Sequence, residues 1–167
     1  MKFNTKLLHG KAGRNTPDGA TLPGISQVSA FSYDSAEHLE KVFGNKAPGF
    51  AYTRIGNPTV AAFEQRINEV EGGTGAIACA SGMAAITVAL LNVLSAGDEI
   101  IAGSGLFGGT IDLFKDLEAF GITTHFIPHI TVEDIKPVLN QNIKAVFGEI
   151  IGNPGLDVVN IKEVSDF

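Results

Sequence analysis

From Pro58 onward the chain alternates short, continuously apolar runs with longer segments of helical spacing, a pattern that few architectures accept. Asn57-Pro58 opens a helix, since asparagine caps and proline suits the first helical position, and Val60, Phe63, Ile67 and Val70 then recur on one face. Gly72-Gly73 ends it. Residues 75–80 read as a short buried strand and 82–95 as a buried helix; strand 99–102, helix 109–120, strand 122–127, helix 131–140 and strand 143–150 follow. Apolar strands without polar alternation, joined by helices of ten or more residues, predict a parallel sheet with helices on both faces. The fold expected is α/β.

Residues 1–57 follow a different regime. They are rich in Gly, Pro, Asn, Ser and Thr, with one convincing helix at 35–43, closed by Gly44. The rest reads as extended arm and loop, the kind of segment that serves as a functional loop, a linker or a dock on another subunit. At the other end, Asn160 caps a helix that meets no glycine or proline stop before Phe167. Length alone suggests one domain, but a unit of this type would continue to another strand, so the sequence reads as cut: an arm at 1–57 and a truncated α/β domain at 58–167.

Charge and cysteine content exclude several function classes. With 12 Lys+Arg against 18 Asp+Glu, the net charge of −6 offers no footprint for nucleic acid or an anionic membrane. Cys79 is the sole cysteine, so no internal disulfide forms. The start of the chain has no signal-peptide pattern, and a reducing cytoplasm is the expected compartment. The apolar stretch 83–94 is interrupted by Thr87 and Asn92 and is too short to span a bilayer.

Ligands of an α/β sheet bind where strands end and helices begin, because unpaired helix N–H groups favour anions there. Three such junctions stand out: Ala80-Ser81-Gly82-Met83, Ser104-Gly105-Leu106-Phe107-Gly108-Gly109-Thr110, and Glu149-Ile150-Ile151-Gly152-Asn153-Pro154. At the first, the N–H groups of Gly82 and Met83 with the Ser81 hydroxyl suit a phosphate; a tight turn needing glycine for packing is the alternative. Phe107 beside two glycines suits stacking on a flat ligand, although a core phenylalanine is the commoner case. In the arm, Tyr52-Thr53-Arg54-Ile55-Gly56-Asn57-Pro58-Thr59 presents a guanidinium suited to phosphate or carboxylate, with Tyr52 on the same side if the segment is extended. A lone surface arginine that solvates a loop is the plainer reading.

Other constellations carry no chemistry. His125 and His129 are four apart, but Pro128 between them prevents a shared helical face, and neither a Walker loop nor a Gly-x-Gly-x-x-Gly at the first junction is present. Cys79 reads as an inert thiol in an apolar run, Thr131-Val132-Glu133-Asp134 as a helix cap, and Asp98-Glu99 as a solvated face. Metal sites and protease triads are not supported.

Taken together and in order, the blocks at 52–59, 80–85, 106–110 and 149–154 resemble the Cys/Met-metabolism family of pyridoxal-phosphate (PLP) enzymes, from about Thr5 to Phe167. The resemblance implies the large domain of an aspartate aminotransferase-like, PLP-dependent transferase fold, here an N-terminal arm with an incomplete, mostly parallel sheet. It implies that Gly82 and Met83, with Ser81, hold the PLP phosphate, that Tyr52 and Arg54 reach the same phosphate from a neighbouring subunit, that Phe107 stacks on the pyridine ring, and that Asn153, in the block opened by Glu149, contacts the ring hydroxyl. The family pattern has tyrosine at Phe107; phenylalanine keeps the stacking surface but cannot transfer a proton. Gly109 stands where methionine γ-lyases have cysteine, and Gly152 before Asn153-Pro154 resembles the O-acetylhomoserine sulfhydrylases. The implied reaction is formation of homocysteine from O-acetylhomoserine and sulfide, with cystathionine γ-synthase or γ-lyase chemistry as the alternative.

The resemblance also places the family's Schiff-base lysine, and the aspartate that pairs with the pyridine nitrogen, beyond the position of Phe167. None of Lys2, Lys6, Lys11, Lys41, Lys46, Lys115, Lys136, Lys144 or Lys162 sits in the Ser/Thr-rich context expected of that lysine. The chain by itself is therefore expected to be inactive. Its expected partners are further copies in a homo-oligomer, with sites shared between subunits, or a chain supplying the C-terminal part. A non-catalytic split or remnant subunit that binds a partner chain is the competing reading from another class.

Overall fold

Local capping sets where the helices begin. Ser35 Oγ accepts the His38 N–H ahead of helix α2 (Ala36–Phe43), and Asn57 Oδ1 accepts the Thr59 N–H ahead of α3 (Pro58–Glu71), which has proline in its first turn. Gly72, left-handed at φ 69°, closes α3 as expected. The computed structural model describes residues 2–10 and 19–167; Lys11 and the remainder of 11–18, assigned above to the arm, lie outside the described residues. The chain forms two units, one ending at Ala78 and one from Cys79 to Phe167.

In the first unit the structure adds a helix that the sequence does not announce, α1 (Phe3–His9). Its N-cap, Lys2, makes no side-chain cap bond. The helix is held from outside: Arg66 on α3 donates from Nη1 to the carbonyls of Lys6 (2.8 Å) and Leu7 (2.6 Å), capping the C-terminal turn with a cation. The 75–80 run is not a strand, because it pairs with no other strand among the described residues. The Ala78 N–H goes instead to the Glu64 carboxylate on α3, at 2.8 Å, and Ile77 stands 83% exposed.

The second unit is a three-stranded parallel sheet in the order β2-β1-β3, with β1 (Glu99–Gly103) between β2 (Thr123–Ile127) and β3 (Ile143–Phe147). Period-two alternation sends Ile100 and Ala102 to one face, against Leu90 and Leu94 from the segment of α4 (Gly82–Val93) and Phe114 and Leu117 from α5 (Gly108–Leu117). Ile101 faces the other way, onto Ile127, Ile130 and Ile135, with Val164 of α7 (Ile161–Asp166) packed beside them. Both faces of the central strand β1 are covered, whereas Phe126 on β2 and Val146 on β3 are exposed. Helix α4 is buried on one face only: Leu90 is buried, whereas Val88, Leu91 and Val93 are exposed.

Two expected elements are shorter than the sequence pattern suggests. The helix at 131–140 shrinks to α6 (Val132–Ile135), because Pro137 has no N–H for a carbonyl one turn back and crowds the preceding turn. The strand at 143–150 stops at Phe147, and the chain after it forms a loop closed by a bridge between Ile151 and Val158.

Glu99 corrects the reading of Asp98-Glu99 as a solvated face. Its Oε2 accepts from Asn140 Nδ2 (2.8 Å) and shares a 2.6 Å hydrogen bond with His125 Nε2, while Oε1 accepts from Asn142 Nδ2 (3.2 Å). These bonds, Asn140's first, lower the Glu99 pKa to about 2. A carboxylate depressed in the folded state contributes stability above its unfolded pKa of about 4.3 and loses it as pH falls through the folded value. Thermal unfolding between pH 5 and 2 is therefore expected to show a fall in Tm for the parent chain that is smaller in Glu99→Gln. An equal fall in both would remove Glu99 as the cause.

Candidate functional site

The sheet topology selects one end of the second unit. The chain leaves β1 through α5, packed on one face of the sheet, and leaves β3 towards α7, packed on the other, so connections diverge at the C-terminal ends of β1 and β3. Ligands of parallel sheets bind at such a switch point. A cavity of about 200 Å³ opens there, lined in part by Gly103, Gly105, Glu149, Gly152 and Asp157.

Three of the expected residues are tied together at this end. Phe107, the N-cap of α5, donates its N–H to Glu149 Oε1 at 2.8 Å, which brings the loop after β3 to the loop after β1. The Asn153 N–H reaches the Gly105 carbonyl at 3.2 Å and completes the stitch. Gly152 is where this contact needs glycine: a Cβ there would lie 3.0 Å from the Gly105 carbonyl oxygen. A carboxylate beside the first turn of α5 also complements the helix dipole. The Phe107 ring is 53% exposed, so it is not a core residue.

The first junction begins α4. The Ser81 backbone is extended, its Oγ accepts the Ala84 N–H at 3.1 Å and its carbonyl accepts the Ala85 N–H at 3.0 Å. The N–H groups of Gly82 and Met83 have no hydrogen-bond partner among the described residues. Gly82 is exposed, with no atom within 4 Å of where a Cβ would stand. A twelve-residue helix thus offers two N–H donors without partners among the described residues at its positive end, that of Gly82 on an exposed residue, with the Ser81 hydroxyl beside them. That donor set fits a phosphate dianion, and the exposed Phe107 ring fits a flat aromatic group, so the residues present suit PLP.

In the first unit, Tyr52 and Arg54 share a turn instead of an extended segment. The N–H groups of Ile55 and Gly56 both donate to the Tyr52 carbonyl, at 2.9 and 3.0 Å, and the Arg54 guanidinium sits 5.6 Å from the centre of the Tyr52 ring. Both side chains are exposed. The knot beneath them is Asn57, which sequence reasoning treats only as a cap. Its side chain is 4% exposed; Nδ2 donates to the Ser26 carbonyl (3.1 Å) and to Thr53 Oγ1 (3.0 Å), while Oδ1 caps α3. Thr53 in turn donates its N–H to the Ser29 carbonyl at 2.9 Å and its hydroxyl to the Val28 carbonyl. Asn57→Ala is expected to cost on the order of 1–2 kcal/mol, read from denaturant midpoints, and to free the Tyr52–Arg54 turn. An unchanged midpoint would show that the knot holds without it.

His125 lies in β2 and His129 in the loop beyond it, so they do not share a helical face, and no cluster of three or more metal-ligating side chains occurs among the described residues. No helix among the described residues is long and apolar enough to cross a membrane. Sequence reasoning missed the Glu149 contact with Phe107, the Asn57 knot and the Glu99 cluster; each joins residues far apart in the chain.

Comparison with known proteins identifies the family and the fold. Residues 4–167 match the family model described as Cys/Met metabolism PLP-dependent enzyme. The chain is 35% identical over 166 residues to an O-acetyl-L-homoserine sulfhydrylase of Leptospira meyeri, covering 99% of this chain and 38% of the relative. It is also 35% identical to an L-methionine gamma-lyase of Fusobacterium nucleatum, covering 98% of this chain and 41% of the relative. A crystal structure of an O-acetylhomoserine (thiol)-lyase from Campylobacter jejuni, which carries a pyridoxyl-lysine group, superposes with a TM-score of 0.88 at 31% identity, over 99% of this chain and 41% of that one. The chain therefore spans about two fifths of the length of the proteins it matches.

Proposed function

The chain belongs to the Cys/Met metabolism PLP-dependent enzyme family, and we propose that it supplies the phosphate-binding and ring-face portion of a PLP site. The observation that carries this reading is the pair of N–H groups at Gly82 and Met83, without partners among the described residues and set at the N-terminus of α4. When bound, the cofactor withdraws the electron pair left on an amino-acid substrate's α-carbon after its proton is removed. In this proposal Gly82, Met83 and Ser81 hold the phosphate; Tyr52 and Arg54 add a hydroxyl and a cation to the phosphate of a neighbouring copy; Phe107 supports the ring face; and Asn153, on the loop that Glu149 ties to Phe107, orients the ring hydroxyl. The division into an arm at 1–57 and a cofactor domain from 58 onward belongs to the same proposal.

For the whole protein we propose an O-acetylhomoserine sulfhydrylase, making homocysteine from O-acetylhomoserine and sulfide in the cytoplasm as a homo-oligomer. The glycine at 109 supports this choice over methionine γ-lyase, and the Gly152-Asn153-Pro154 loop supports it over cystathionine γ-synthase or γ-lyase chemistry, which is the alternative. Mixing the chain with a polypeptide matching the remainder of its relatives, then assaying homocysteine against methanethiol release from methionine, tests it. Faster methanethiol release would sink the sulfhydrylase reading. No activity on mixing would favour a non-catalytic subunit.

None of the lysines in the second unit lines the cavity at the C-terminal ends of β1 and β3. Lys115 pairs with Asp112 on α5 (3.0 Å), Lys136 lies over the Phe167 ring (5.5 Å), Lys144 donates to the Gln141 carbonyl (3.2 Å) and Lys162 pairs with Asp166. The chain by itself is therefore expected to hold PLP without a covalent link. A PLP absorbance band that survives dialysis and becomes a covalent pyridoxyl adduct on borohydride reduction would overturn this.

A further inference from the structure

We propose that Gly109 and Glu149 are positioning residues that together set the pose of the Phe107 ring. This rests on the reading above that Phe107 is the face on which a flat ligand stacks. The Phe107 backbone is fixed on both sides. Its carbonyl accepts the N–H groups of Thr110 (2.9 Å) and Ile111 (3.2 Å) as α5 begins, and its N–H is held by Glu149 Oε1 at 2.8 Å. As α5 has no side-chain cap at this end, Glu149 supplies the carboxylate contact from the loop after β3.

With its backbone held, the ring lies over the first turn of α5 and its floor is Gly109. A Cβ at 109 would stand 2.7 Å from Phe107 Cε1, 3.3 Å from Cδ1 and 3.5 Å from Cζ. The first of these distances is too short for a non-bonded carbon contact, and the group that must give way is the ring, a side chain more than half exposed. Gly109 has ordinary helical geometry, with φ not positive, so the backbone alone does not require glycine. In a helix, alanine is in fact the better residue. Glycine at 109 is therefore explained by the ring it allows to lie down.

The test uses Gly109→Ala, Glu149→Gln, Glu149→Ala and Phe107→Ala in the full chain, with three readouts. Nuclear Overhauser contacts between the Phe107 ring protons and the 109 α-proton report the pose, amide exchange at Phe107 reports the Glu149 bond, and PLP titration reports stacking. In Gly109→Ala the ring contacts are expected to be lost with Tm unchanged or raised, and PLP affinity to fall about 3- to 10-fold. Glu149→Ala should speed Phe107 amide exchange about tenfold or more, while Glu149→Gln, which keeps the acceptor, should restore slow exchange. Retained ring contacts in Gly109→Ala, or unchanged Phe107 exchange in Glu149→Ala, would overturn the proposal. If the ring moves in Gly109→Ala but neither that variant nor Phe107→Ala changes PLP affinity, the positioning roles stand and the stacking reading fails.

Discussion

Gly82→Pro is expected to weaken PLP binding about 10- to 100-fold while leaving the second unit as stable as the parent chain. The first helical position is where proline fits: the residue before it, Ser81, is already extended (φ −157°, ψ 164°), no atom lies within 4 Å of a Cβ at 82, and the Gly82 N–H has no hydrogen-bond partner among the described residues. The substitution therefore deletes a single N–H donor and little else. Gly82→Ala is the control, because it keeps that donor, and it should bind PLP like the parent. Titration followed by PLP absorbance, with Tm measured alongside, separates the two. Equal affinities for the proline and alanine variants would remove the Gly82 N–H from the phosphate site.

Phe114→Ala is expected to cost the second unit about 3–5 kcal/mol, the largest stability effect of any substitution considered. The ring is fully buried in the cluster between α5 and the sheet, edge-on to Phe147 at 5.2 Å between centroids, with Phe126 at 6.1 Å. Small domains are stable by only about 5–15 kcal/mol, so a loss of this size removes much of the margin. Urea unfolding followed by far-UV circular dichroism reads it directly. A loss below about 1 kcal/mol would mean that neighbouring side chains collapse into the cavity and that Phe114 is not the centre of this core.

How much of this is legible in the sequence depends on how far each feature's cause lies from it in the chain. Helices α2, α3 and α4 start where Ser35, Asn57 and Ser81 say they should, because a cap acts over three residues. Helix α1 is not legible because its C-terminal cap is Arg66, about 60 residues away. Pro137 is visible in the sequence, and its effect on the helix at 131–140 follows from the missing N–H; the periodic pattern outweighs it only when proline is left out of the reading. Residues 75–80 have the composition of a strand, yet a strand is a relation to a neighbour, and here the Ala78 N–H is taken by Glu64.

The candidate site divides along the same line. The loops at 81–83, 104–110 and 149–154 can be found from glycine and cap chemistry alone. Whether Phe107 is buried or exposed cannot, since its N–H is tied to Glu149, 42 residues further on, and its ring, 53% exposed, lies against Gly109. Likewise Asn57 reads as a helix cap, and its second task, holding Thr53 and Ser26 beneath the Tyr52–Arg54 turn, emerges only in three dimensions. Glu99 reads as a surface acid until His125, Asn140 and Asn142 close around it.

The proposed phosphate site at the start of α4 is tested most directly by the backbone amide resonances of Gly82 and Met83, followed by two-dimensional NMR during titration of the chain with PLP and, separately, with pyridoxal lacking the phosphate. Saturable downfield shifts of both amides with PLP, and none with pyridoxal, are the expected result. Amides at 82 and 83 that stay in place while resonances elsewhere move with PLP, or that respond equally to both ligands, would contradict a phosphate held at this helix N-terminus.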